Sequence, residues 1–185
     1  MSKQGSKFLA LLRGINVGGR NIISKEDLKD CFEKLGYESV RTYIQSGNIL
    51  FRSEITDTKE LTATIEQGLS KRFNYDAQAV IISQRKYKSM LSKAHRNWGE
   101  DEDWKHNAMF LLSGTTPKKV LSQIADPKVN IETVSHSTGI IFWSTLKKQQ
   151  TKATVMKLAA HPVYKQMTVR NHNTCFKLLK LFDEI

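Results

Sequence analysis

The sequence predicts an α+β protein made of two consecutive ferredoxin-like βαββαβ units, antiparallel sheets with helices packed on one face. Three observations lead there. Short β-rich runs bounded by Gly, Asn and Ser alternate with amphipathic helical stretches. The helices carry start signals of known chemistry. The order β-α-β-β-α-β is followed by a connecting stretch and then recurs, which is the order of a split unit whose two helices cover one sheet face.

The first strand is expected over 7–12, and Ser24 then caps a helix with Asp27 three residues on. Along it Leu28, Cys31, Phe32 and Leu35 follow the spacing of one buried stripe, and Gly36 stands where a left-handed C-terminal cap belongs. Strands over 39–44 and 48–52 flank Gln45-Ser46-Gly47, the pattern of a tight hairpin. Asp57 opens a second helix whose Leu61, Ile65 and Leu69 share a face, and 77–82 supplies the fourth strand. These elements define a first unit over residues 1–83. Residues 84–107 form a connecting helix, with Tyr87, Met90, Leu91 and Ala94 on one side, and an acidic segment read as solvated surface.

A second unit is expected over 108–185. It comprises a strand over 108–113, a helix capped by Thr116 with Pro117 in its first turn, and strands over 129–135 and 140–144 around a turn at 136–139. A ten-residue helix over 151–160, a strand over 167–170 and a last helix from Asn171 complete it.

A chain of 185 residues is long enough to bury roughly 70% of its unfolded surface without a covalent staple. Cys31 and Cys175 fall outside any metal or redox spacing, and Cys31 sits on a core-facing stripe. No run approaches the roughly 20 apolar residues of a membrane span, so the expected setting is cytoplasmic, with no membrane partner and a monomer or weak dimer as the expected state. Lysine and arginine number 29 against 18 acidic residues, a net charge of +11. That charge favours encounter with polyanionic or phosphorylated partners, although many of the basic residues serve solubility on helix surfaces.

Strand direction in a βαββαβ unit brings the loop after the first strand and the central hairpin to one edge. The loop contains Arg13-Gly14-Ile15-Asn16-Val17-Gly18-Gly19-Arg20 and the hairpin Ser46-Gly47-Asn48. Glycines permit positive φ and close approach of backbone N–H groups to a ligand, and Arg13 and Arg20 add positive charge, so these residues form a candidate anion cradle. Gly14 and Gly19 have the glycine spacing of a phosphate-binding P-loop. Arg20 and Asn21 replace its lysine and hydroxyl, and the expected sheet is antiparallel, so a nucleotide triphosphatase is not the reading. In the second unit the same topology groups Thr151, Lys152, Thr168, Arg170 and Asn171. Asn171 there caps the last helix with Thr174 at its third position, and a phosphate held by Lys152 and Arg170 competes with a plain capped turn.

Leu11 to Gly19 with Tyr43 to Asn48, and Thr168 to Asn171 with Thr174, resemble an uncharacterised, mainly bacterial family known only as domain of unknown function 1697. The family commonly has lysine where Arg20 stands, Ser-Lys where Thr151-Lys152 stands and tryptophan where His172 stands. The resemblance implies a shared fold and site location, and no activity.

Three functions follow from these residues. The first is binding of an anionic small molecule or nucleotide through Arg13, Gly14, Asn16, Gly18, Gly19, Arg20, Ser46, Gly47, Asn48, Lys152, Arg170, Asn171 and Thr174. The second is nucleic-acid binding on an open sheet face, which net charge favours and the lack of an RNP-like aromatic pattern disfavours. The third is an enzyme at the same edge, for which the sequence names no base or nucleophile. His95, His106, His136, His161 and His172 fall at no ligand spacing, so no metal or cofactor is expected.

Overall fold

The computed structural model describes residues 5–19, 21–45 and 47–185. Its contacts divide the chain into two compact units, one comprising residues up to Tyr87 together with Leu178–Ile185, the other Lys88–Lys177.

The first unit runs β1 (Ser6–Arg13), α1 (Lys25–Lys34), β2 (Glu38–Tyr43), β3 (Asn48–Ser53), α2 (Thr58–Phe73) and β4 (Gln78–Ser83). Its sheet has the order β2-β3-β1-β4, antiparallel throughout, as a ferredoxin-like unit requires. Ser24 Oγ accepts the Asp27 amide at 2.9 Å and Asp57 Oδ1 accepts that of Lys59 at 2.8 Å, so both helix starts are capped by side chains. Leu28 and Phe32 from α1 and Leu61, Ile65 and Leu69 from α2 pack on Phe8, Ala10 and Leu12 of β1. The other face of β1 is equally closed, because Leu9 and Leu11 are fully buried.

From β4 the chain passes directly into α3 (Gln84–Leu91), on which Tyr87 is fully buried. The second unit repeats the pattern with β5 (Trp104–Leu111), α4 (Pro117–Leu121), β6 (Glu132–Ser137), β7 (Ile140–Leu146), α5 (Val155–Leu158) and β8 (Met167–Asn171), followed by α6 (His172–Leu181). The sheet order is β6-β7-β5-β8, again antiparallel. Met109, Ile141, Trp143 and Met167 face α4 and α5, with Val120 and Leu158 packed on them. Ala108, Phe110 and Phe142, on the opposite face, are fully buried too.

Two stretches differ from expectation. The expected helix over 151–160 is replaced by a 3-10 segment, Lys147–Lys152, an extended Ala153 (φ −71°, ψ 145°) and the single turn of α5. Four-residue helices bury little and need outside support at their N-termini, which Glu132 supplies as described below. The strand expected from Val129 begins at Glu132, after a turn in which Asn130 takes a left-handed φ of 63°.

The C-terminal segment completes the first unit. Lys7 Nζ donates to the Phe182 carbonyl at 2.6 Å, Arg52 Nη2 donates to the Ile185 carbonyl at 2.9 Å, and Arg41 pairs with Glu184 at 2.5 Å. Phe182 is fully buried with its ring 5.8 Å from that of Tyr87. Among the described residues no helix is long and apolar enough to cross a membrane.

Candidate functional site

The glycine loop of the first unit is a small hairpin of its own. Gly18 and Gly19 take left-handed φ of 58° and 73°, and the Asn16 amide donates to the Asn21 carbonyl at 3.1 Å behind them. Asn16, itself left-handed at φ 52°, holds the loop in place. Its Nδ2 donates to the carbonyls of Ile23 (3.0 Å) and Gln45 (2.8 Å), and its Oδ1 accepts the Ile23 amide at 2.8 Å. The loop after β1 and the turn between β2 and β3 are thereby joined, and the Leu12 amide adds a bond to the Gly47 carbonyl at 2.8 Å. Gly47 is obligatory: a Cβ there would stand 2.7 Å from Leu12 Cβ, at φ 69°. Asn48 Nδ2 donates to the Tyr43 carbonyl at 3.0 Å, which ties the base of the same turn.

Gly14, Gly18 and Gly19 differ from Gly47 in having no atom within 4 Å of an added Cβ, so their backbone faces open space. Arg13 stands at the root of this hairpin on the β1 face that carries Leu9 and Leu11. Its Nη1 donates to Gln78 Oε1 at 3.3 Å, its Nε is buried without a partner, and it forms no ion pair among the described residues. Arg20 and Ser46, the remaining candidates of this edge, lie outside the described residues.

In the second unit Arg170 and Thr168 come together as expected. Arg170 lies opposite Ala108, on the sheet face that carries His106 and Phe142, where its Nη1 donates to Thr168 Oγ1 and to the Val169 carbonyl, each at 2.8 Å. Lys152 is exposed and leads into α5, which packs on the other face beside Trp143. Asn171 Oδ1 accepts the Thr174 amide at 2.8 Å, capping α6. The start of α5 is occupied from within. Glu132, 7% exposed, accepts the amides of Thr154 (2.8 Å), Val155 (3.0 Å) and Lys128 (3.0 Å) and the Trp143 indole N–H (2.9 Å). Burial pushes its carboxyl upward, but the three backbone donors and the indole outweigh burial and hold it below the ordinary value.

The family model described as a protein of unknown function, DUF1697, matches residues 6–142. The chain belongs to the DUF1697 family. The match includes the glycine hairpin and the Gly47 turn and stops before Thr168. Among solved structures, this DUF1697 chain is similar to the conserved bacterial protein SP0830 of Streptococcus pneumoniae, at 25% identity and a TM-score of 0.85, over 96% of this chain and 98% of that one. Among curated proteins none matches.

A polar cluster that the sequence reading missed lies on the Arg170 face of the second sheet. The register sets His106 opposite Ser144, and His106 Nδ1 and Ser144 Oγ share a hydrogen bond of 2.8 Å, with His95 Nε2 3.3 Å from the same oxygen. The rings of His95 and His172 lie 6.0 Å and 5.4 Å from that of His106, and Trp98 stands edge-on to His172 at 6.2 Å. Burial lowers the basicity of His106 and His95; for His106 the Asp101 carbonyl opposes that shift, and the neighbouring histidines add to it. A serine beside an imidazole is the beginning of a nucleophilic pair, yet Ser144 is 1% exposed and His106 2%, and Asp101 offers its carbonyl in place of a carboxylate. In this state no substrate reaches the pair. The only sequence signal was the alternation that puts His106 and Ser144 each among apolar strand neighbours, and their pairing depends on a register 38 residues apart.

Proposed function

We propose that this DUF1697 protein is a binding module for a phosphate-bearing small molecule, held where the glycine hairpin of the first unit meets Arg13. The observation that carries the reading is Arg13: a half-buried guanidinium with one long bond to Gln78, an unpartnered Nε and no acidic neighbour within ion-pair distance among the described residues. Guanidinium groups in such a state accept bidentate oxyanions well. Gly14, Gly18 and Gly19 face open space on the loop that Arg13 leads into, and the net charge of +11 raises local anion concentration. The reading rests on the first unit and makes no use of Lys152 or of the Arg170 turn. The nucleic-acid reading loses the flat platform it needs, because both faces of β1 and of β7 are buried.

The test is a titration of the full chain with pyrophosphate and with ATP at constant ionic strength, following the Gly18 and Gly19 amide resonances and the unfolding transition. Saturable shifts are expected, with about 2.7 kcal/mol of stabilisation at one hundred times Kd, and Arg13→Gln should abolish them. Shifts no larger than those of matched sodium chloride, or equal binding by Arg13→Gln, would dismiss the reading.

A further inference from the structure

We infer that the second unit carries a separate site for a small carboxylate with an apolar body, in the cavity between its sheet and α5. This cavity holds about 200 Å³. A cavity of about 150 Å³ suffices for benzene, so this one accommodates a single ring, or a short chain, together with a small polar head.

Its walls divide by chemistry. Met109 and Val169 from the sheet, Val155 and Leu158 from α5, and Tyr164 from the segment after it supply an apolar interior. Four polar residues, Lys105, Asn107, Thr145 and Gln150, line it as well. The register explains how two of them meet: Lys105 pairs directly with Thr145 across β5 and β7, so both side chains leave the same face at the same rung, and Asn107 follows on that face two residues along.

Thr145 is the decisive residue. It is 1% exposed, and its hydroxyl has no hydrogen-bond partner among the described residues. A buried hydroxyl without a partner is costly in a folded protein, and a ligand oxygen in the cavity would satisfy it. Lys105 forms no ion pair among the described residues, so its charge is available to the same ligand.

The polar lining also selects the sign of the head group. Lysine, amide and hydroxyl all donate. Glu132 lies on the next strand of the same rung, opposite Thr145, and both of its oxygens are already taken by four N–H donors. It therefore has no oxygen free to accept a hydrogen bond from a cationic head. The α5 N-terminus is closed to a ligand for the same reason, which leaves Lys105 as the charge that recognises an anion. An acceptor-rich, singly charged head on an apolar body matches both halves of the site.

This site shares no residue with the Arg13 hairpin, so the two readings stand or fall separately. The experiment is a titration of the full chain with benzoate, benzyl alcohol and inorganic phosphate, observing the methyl resonances of Met109 and Met156; Met156 also borders the cavity. Benzoate is expected to give saturable shifts at both methyls, benzyl alcohol to bind at least about tenfold more weakly for want of the charged head, and phosphate to leave both methyls unmoved. Lys105→Gln should weaken benzoate at least about tenfold and leave benzyl alcohol unchanged. Thr145→Val removes a hydroxyl that has no partner, so the fold should tolerate it while benzoate affinity falls. Benzoate shifts that do not saturate, equal binding of benzoate and benzyl alcohol, or unchanged benzoate affinity in both variants would each overturn the inference.

Discussion

Replacing Glu132 by glutamine removes one oxygen and its charge while preserving shape, which isolates what the carboxylate does. Oε1 accepts the Trp143 indole and the Val155 amide, and Oε2 accepts the amides of Lys128 and Thr154. A glutamine keeps one acceptor and points an NH₂ group at the other pair of donors, so two buried N–H groups lose their partner. Each costs about 1–3 kcal/mol, giving about 2–6 kcal/mol against a typical total of about 5–15 kcal/mol. The loss should fall on the second unit alone. Native-state hydrogen exchange reads this directly, with the β7 amides of Ile141 and Phe142 as reporters and those of Leu9 and Leu11 in β1 as the internal control. The pH dependence has a defined sign. Because the folded carboxyl titrates below its ordinary value of 4.5, its contribution is fully present above that value and disappears as pH falls through the folded one. Glu132→Gln should flatten that acid limb. A loss below about 1 kcal/mol, an unchanged acid limb, or equal loosening of both units would refute the assignment of Glu132 as the support of α5.

Two further outcomes are expected. His106, made less basic by burial, should make the second unit less stable as pH falls below its ordinary 6.5 toward the depressed folded value, because the unfolded chain takes up the proton first. The slope is up to about 1.4 kcal/mol per pH unit, and His106→Gln should reduce it in a denaturation series from pH 7.5 to 5. In the first unit, Asn16→Ala forfeits three hydrogen bonds at a left-handed position and should cost about 2–4 kcal/mol, whereas Gly18→Ala, with open space around it, should cost only about 1–2 kcal/mol of backbone strain. Urea unfolding of the two variants side by side checks the ranking.

The architecture was legible because its determinants are local. Alternation marks strands, a side chain such as Ser24 or Asp57 announces a helix start, and the order of elements then leaves one economical topology. The edge that joins the glycine loop to the Gly47 turn was legible for the same reason, since strand direction alone brings them together. What the glycines do there was not. The spacing of the glycines says nothing of their φ values or of the bonds by which Asn16 shapes the loop, because both are properties of the folded backbone. The stretch after β7 departs from expectation because the residue that caps the start of α5, Glu132, lies 22 positions earlier than Thr154, outside any local pattern. Lys105 with Thr145 and His106 with Ser144 could not be paired from sequence patterns, since each pair exists only through the register of two strands.

The return of Leu178–Ile185 to the first unit has a consequence for biosynthesis. About 90 residues separate Tyr87 from Leu178, so at about 5–20 residues per second the ribosome needs roughly 5–20 s to deliver the piece that carries Phe182 to Tyr87 and gives Lys7 and Arg52 their carbonyl partners. The amino-terminal half must wait in an unfinished form while the middle of the chain, Lys88–Lys177, emerges as one uninterrupted stretch and can fold first. Released chains that end near residue 177 should accordingly present a protease-resistant middle and a labile beginning.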